Sequence, residues 1–316
     1  MACQASCQAP CQPTSPWKEM PKEELEKQYS PSRWSPRMDG EEVVEAHARV
    51  LGEETKKARA SPDVLLNVPY GDGEGEKMDF YLPTNASGAF PFFLYIHGGY
   101  WQLLSKDESG FMATPLRSRG VALAAVDYDI APKGDLDLMV AQVRRSVVFL
   151  QRRYPCNSGI FLCGHSAGAH LVAMALLTDW ADFGLRPNLK GAFLVSGIYD
   201  LEPILTLSMN DKLHMTREVA WRNSPQLLIE MVKHSAGTCE VKMVMAQYDS
   251  PEFRRQTCEF FETLCSTGWE VSLEDIAGVD HFDEMEKLAQ EDYVLTQIIL
   301  ETICRELSLN REKGDV

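Results

Sequence analysis

From Asp63 onward the chain alternates short, nearly continuous apolar runs with longer amphipathic stretches. The runs read VLLNVPYG, KMDFYLP, FPFFLYIHGG, VALAAVDY, IFLCGH, GAFLVSGIYD, KMVMAQYD and EVSLEDI. Runs this short, with little polar alternation, predict strands covered on both faces. Helical patterns fall between them, at about Asp135–Arg153, in AGAHLVAMALLTDW, at about Pro251–Ser266 and at about Phe282–Glu306. Strands alternating with helices predict an α/β fold, with a mostly parallel central sheet of about eight strands and helices on both faces.

No repeat and no composition break interrupts residues 61–310, which read as one domain. Residues 200–240 break the alternation. They contain LEPILTLSMNDKLHM, predicted helical, and an insertion there lies over the carboxyl edge of the sheet, where ligands bind in such folds. Residues 21–60 are charged and partly helical, with Pro21 suited to a first turn, and predict a segment packed outside the core. Together with the 200–240 insertion they would form a small cap. Residues 1–20 lack apolar mass and predict a disordered tail.

Charge narrows the partners. A net charge of −15 argues against nucleic acid and against an anionic membrane, both of which reward clustered Lys and Arg. No apolar run approaches the ~20 residues of a membrane span, and the N-terminus has no secretory pattern. Six of the nine cysteines sit in apolar patterns and read as small buried hydrophobes. That usage predicts a reducing cytosol without a disulfide framework. No basic cluster announces nuclear entry, so nuclear presence stays open beside the cytosol. Cys3, Cys7 and Cys11 lack CxxC spacing and a nearby histidine, so no metal is expected.

The chemistry starts at Gly164-His165-Ser166-Ala167-Gly168, a G-x-S-x-G motif with a strand before it and a helix after it. A serine hydroxyl needs a base and must project clear of the backbone. A tight strand-to-helix turn lifts it, and glycines two residues either way avoid the clash. The helix then aims its N-terminus and the Ala167 N–H at developing negative charge. HGGYWQ follows the third strand, where lipases and esterases of the α/β-hydrolase fold carry an HGGG-type loop. Gly98, Gly99 and Ala167 are therefore the expected oxyanion donors.

Of the seven histidines, His281 alone follows the last predicted strand, and the chain order Ser, acid, His makes it the base. His97 is expected to hold its loop, His165 to diverge from Ser166, and His170 to be packed. His47, His214 and His234 read as surface residues. Two strand-end carboxylates compete as the acid, Asp249 after the seventh strand and Asp200 after the sixth, with Asp249 preferred because Pro251 fixes its loop. Asp280 is too close in sequence to His281 to orient it.

HGGYWQ, GHSAGA, SGIYDLEP, YDSPEF, DHF and EKQYSPSRW together resemble the kynurenine formamidases, arylformamidases of the hormone-sensitive-lipase-like branch of the α/β-hydrolases. The resemblance covers most of the chain. It implies hydrolysis of N-formyl-L-kynurenine to L-kynurenine and formate in tryptophan catabolism, without a cofactor. It places Ser166, Asp249 and His281 on the triad and Gly98 and Gly99 on the oxyanion loop, and it implies a homodimer. Tyr100 stands where HGGG has its third glycine, which suits a small acyl group. Trp101, Tyr128 and Tyr199 are candidates to stack on the aromatic leaving group, whereas Trp221 reads as ordinary packing. A broad carboxylesterase is the alternative within the fold; a non-catalytic binding protein is disfavoured because every triad member is present.

Overall fold

The computed structural model describes residues 16–84, 89–231 and 239–314, with side chains as far as Ser308. The strands are β1 (Val64–Pro69), β2 (Lys77–Tyr81), β3 (Phe92–Ile96), β4 (Ala122–Val126), β5 (Ile160–His165), β6 (Leu189–Val195), β7 (Glu240–Ala246) and β8 (Val271–Ile276). They form one eight-stranded sheet in the order β1-β2-β4-β3-β5-β6-β7-β8. Only β2 runs against its neighbours; every other pairing is parallel.

Alternate residues of the central strands feed two cores, as the period of a strand requires. Phe92, Leu94, Ile96, Leu162, Leu194 and Met243 face one side. Phe93, Tyr95, Cys163, Phe193, Val195 and Val244 face the other. The helices are α1 (Lys22–Gln28), α2 (Gly40–Arg59), α3 (Ala113–Ser118), α4 (Leu136–Arg153), α5 (Ala167–Leu176), α6 (Asn210–Leu213), α7 (Arg217–Arg222), α8 (Pro225–Leu228), α9 (Pro251–Ser266), α10 (Asp283–Glu286) and α11 (Val294–Gly314). Residues of α4, α5 and α9 complete the first core; residues of α2, α3, α10 and α11 complete the second.

Three expectations change. β1 is an edge strand paired only with β2, so Leu65 and Leu66 lie exposed rather than covered. The single helix expected over Phe282–Glu306 is broken into α10, a 3-10 turn (Lys287–Ala289) and α11. Pro16–Glu19, expected to lie within a disordered tail, form a 3-10 turn with Trp17 against the core. Residues 1–15, with Cys3, Cys7 and Cys11, lie outside the described residues. Of the remaining cysteines, Cys163 and Cys239 are buried as expected but Cys156 and Cys304 are exposed.

The segment before the sheet is bound to it rather than laid over it. Tyr29, fully buried after α1, donates to Glu252 Oε2 at 3.1 Å and accepts from Gln256 Nε2 at 2.8 Å, both on α9. In α2 the buried residues Val43, His47, Leu51, Thr55 and Ala58 recur every three or four positions, one inward stripe on an otherwise charged helix.

Candidate active site

Ser166 sits between β5 and α5 with φ +54° and ψ −119°, a strained conformation for a residue with a side chain. The flanking glycines make that turn feasible. A Cβ on Gly164 would lie 2.2 Å from the Gly168 oxygen, and one on Gly168 would lie 2.1 Å from the Ile96 oxygen. The Ser166 N–H is anchored to the Val195 carbonyl at 2.8 Å.

Gly98 and Gly99 follow β3 on the adjoining strand. A Cβ on Gly98 would come within 2.7 Å of the His165 oxygen and 3.2 Å of Ser166 Cβ, so the loop lies directly against the serine. Gly99 has φ +89°, a region open to glycine, and its carbonyl accepts from Gln102 and Leu103. The N–H groups of Gly98, Gly99 and Ala167 have no acceptor among the described residues.

His281 Nδ1 bonds Asp249 Oδ1 at 2.8 Å, with both residues buried. The other Asp249 oxygen accepts from Ser196 Oγ at 2.5 Å and from the Ala246 N–H at 3.0 Å. Phe253 meets the His281 ring edge-on at 5.0 Å. His165 Nε2 lies 2.8 Å from the His281 carbonyl, which can only accept, so that nitrogen carries the proton. Burial, with His281 and His47 close by, pushes the His165 pKa well below the usual imidazole range, and its ring stays neutral. No hydrogen bond joins Ser166 to His281 among the described residues, as is common in a serine hydrolase before substrate is bound.

Both residues open into one cavity of about 580 Å³. Its walls come from Ser30–Ser32, from Val44, Glu45, His47 and Ala48 of α2, from Gly99, Tyr100, Leu103 and Leu104, and from Met209 and Phe282. His47 is thus a buried wall residue bonded to Glu286 at 3.1 Å, not the surface residue its charged surroundings suggested. Met209 is the sole lining residue from the 200–240 insertion, so among the described residues the N-terminal segment supplies most of the cap wall at the site.

Of the aromatic candidates, Tyr100 lines the cavity and the other three do not. Trp101 is fully buried edge-on against His170, Tyr128 stacks on His97 at 4.3 Å, and Tyr199 stacks on Phe260 at 4.4 Å. Their large apolar rings fill the core around the site instead of facing it. Trp221 is 61% exposed, against the packing expected of it.

The competing site residues separate cleanly. Asp200 accepts the Glu202 N–H and does not reach His281; burial raises its pKa. Asp280 is held by Ser35, Arg37 and the N–H groups of Phe282 and Asp283. His97 is buried with Nδ1 at 3.0 Å from the Gly98 carbonyl. His170 is packed, bonds the Asn223 carbonyl and is pushed down by burial to about 4. His214 is exposed, and His234 lies outside the described residues.

The fold and the serine raised between β5 and α5 define an α/β-hydrolase. Esterase B of Lactobacillus rhamnosis has the same architecture, with TM-score 0.66 at 16% identity over 87% of this chain and 96% of that one. Residues 78–249 match the family described as BD-FAE. A kynurenine formamidase of Danio rerio is 54% identical over 289 residues, covering 92% of this chain and 99% of its own. One of Salmo salar is 55% identical over 287 residues, covering 90% and 98%. The chain belongs to the kynurenine formamidase family.

Proposed function

We propose that this chain hydrolyses N-formyl-L-kynurenine to L-kynurenine and formate through a formyl-serine on Ser166. The observation that carries the reading is the meeting of Ser166 and His281 in one cavity, with Asp249 on the far nitrogen of His281, in a chain so close to kynurenine formamidases. Ser166 Oγ attacks the formyl carbon as His281 Nε2 takes its proton. The N–H groups of Gly98, Gly99 and Ala167 receive the oxyanion, each such donor being worth about 3–4 kcal/mol in the transition state. The C–N bond breaks as His281 returns the proton to the aniline nitrogen. Water, deprotonated by His281, then releases formate. Asp249 holds the imidazole tautomer and stabilises the imidazolium. Serine, imidazole and backbone donors supply each step, so no cofactor is required.

Tyr100 narrows the acyl side, which suits a formyl group. Among the described residues, the charged groups lining the cavity besides the histidines are Glu45 and Glu108, and they favour the substrate's ammonium end. The cytosol is the compartment proposed, and a homodimer, carried over from the resemblance, is tested by sedimentation velocity.

The test is turnover of N-formyl-L-kynurenine beside a simple aryl ester, with Ser166→Ala as control. Efficient formate release that Ser166→Ala abolishes supports the reading. Activity confined to the ester, or retained by Ser166→Ala, overturns it.

A further inference from the structure

Three histidines line the cavity, and the proposed mechanism accounts for two of them. His281 is the base, and His165 is neutral with its Nε2 proton on the His281 carbonyl. His47 takes no part in those steps. It is only 4% exposed, yet it belongs to the cavity wall. Its ring meets Phe282 edge-on at 5.3 Å and stands 6.2 Å from the ring of His165, which is 4.6 Å from that of His281.

The two nitrogens of that ring differ. Nδ1 is 3.1 Å from Glu286 Oε1. Burial pushes the Glu286 carboxyl up, but hydrogen bonds with His47 and Arg37 outweigh it and hold the group below the usual carboxylate range. Glu286 is therefore ionised and can only accept, so Nδ1 carries a proton. Nε2 has no partner among the described residues, and it is not sealed in protein as His97 Nε2 and His170 Nδ1 are.

Behind the ring the charges alternate. Asp280 pairs with Arg37 at 2.8 Å, Arg37 with Glu286 at 2.9 Å, and Glu286 with His47. Two carboxylates and one guanidinium leave one negative charge, which a second proton on His47 cancels. An imidazolium donates from both nitrogens. The titratable groups facing the ring are Glu286 on α10 and His165 at the end of β5, with Arg37, ahead of α2, reached through Glu286. Glu45 lies two positions earlier on α2, and Glu108 shares the cavity.

The proposed substrate ends in an ammonium and a carboxylate. Glu45 and Glu108 suit the ammonium. No lysine or arginine lines the cavity among the described residues, and Arg37 is already held by Asp280 and Glu286. Resting on that reading of the substrate, we infer that His47 binds the carboxylate: as an imidazolium backed by Glu286, it donates from Nε2 to the amino-acid end. The site thereby selects formylated aryl amino acids over the corresponding amines.

The test pairs two substrates with two variants. N-formyl-L-kynurenine carries the carboxylate; its decarboxylated analogue keeps the formanilide and the ammonium. The parent should show a KM about tenfold higher for the analogue, the scale of one charge-assisted hydrogen bond. His47→Gln stays polar but cannot carry the charge. It should raise KM for N-formyl-L-kynurenine about tenfold with kcat within about threefold, and leave KM for the analogue within about twofold. Glu286→Gln removes the anion behind the ring and should move KM in the same direction, again for N-formyl-L-kynurenine alone.

Equal rises for both substrates in His47→Gln would put His47 on a feature they share, and would overturn the inference. An unchanged KM for N-formyl-L-kynurenine in folded His47→Gln would do the same. If His47→Gln does not fold, Glu286→Gln is judged by the same two outcomes. If neither folds, the parent decides, a KM no higher for the analogue overturning the carboxylate contact. The parent also keeps the cases apart. Failure to turn over N-formyl-L-kynurenine removes the substrate reading and this inference together, whereas efficient turnover with an unmoved KM in His47→Gln removes this inference alone.

Discussion

The Tyr100 hydroxyl donates to the main-chain carbonyl of Tyr29 at 2.5 Å. One residue occupies the third-glycine position of the loop beside the serine; the other ends the N-terminal helix that is anchored to α9. The bond ties the Tyr100 side of the cavity to the segment that walls it. Tyr100→Phe removes a bond worth about 1 kcal/mol and keeps the ring. The expected outcome is a lower thermal midpoint and a KM raised several-fold with kcat nearly unchanged. A parallel fall in kcat alone would show that the hydroxyl acts on the chemistry instead.

Asp249→Asn should reduce kcat by about 10⁴, the order seen when a triad acid loses its charge and the histidine takes the wrong tautomer. Asp200→Asn should stay within a few-fold of the parent, since Asp200 caps the turn at Glu202 and leaves His281 alone. Initial rates on N-formyl-L-kynurenine for the pair check this, and a larger loss in Asp200→Asn would reverse the assignment.

Gly98→Ala places a Cβ 2.7 Å from the His165 oxygen and 3.2 Å from Ser166 Cβ. Backbone cannot retreat as a flexible side chain does, so the loop must shift. Its N–H then points away from the oxyanion, and kcat is expected to fall about 10²-fold or more, the scale of one lost donor. Circular dichroism should show the fold intact.

Asp280 carries a pH-dependent part of the stability. Burial alone would raise its pKa, but hydrogen bonds from Arg37, Ser35 and the backbone of Asp283 and Phe282 hold it well below the usual carboxylate range. A lowered folded-state pKa gives stability that is present above the unfolded value, near pH 4, and is lost as pH falls toward the folded one. Arg37→Ala should cost about 1–3 kcal/mol at neutral pH, less than a fully buried pair because the guanidinium is partly exposed. Acid-unfolding curves should show its midpoint moved to higher pH. Identical curves for parent and variant would remove Arg37 from this role.

The sheet was legible because buried parallel strands are written as unbroken apolar runs, and β3 to β7 leave little else to read. The G-x-S-x-G turn was legible because its glycines answer a steric demand local to five residues. The wall of the cavity was not. His47 lies in a helix whose Glu and Lys content reads as solvated, and its partner Glu286 is 239 positions away. The break before α11 was invisible for a related reason: Met285, Leu288, Leu295 and Ile299 are buried on both sides of it, so apolar spacing runs straight through. Tyr128 and Tyr199 misled because aromatic rings near a strand end serve a core as readily as a ligand.

The N-terminal wall also sets an order of events. Arg37 is made 243 residues before Asp280, the group that holds it in place. While the chain is being synthesised, the serine turn can form with β5 and α5, and Tyr29 can meet Tyr100 and α9, yet Arg37 has nothing to fasten to until the loop carrying His281 emerges. The proposed base, His281, and the Arg37 anchor, Asp280, are adjacent and arrive together. A chain stopped short of that loop therefore lacks both the proposed proton acceptor and the Arg37 clasp of its cavity wall, and on the proposed mechanism hydrolysis begins only once synthesis has passed it.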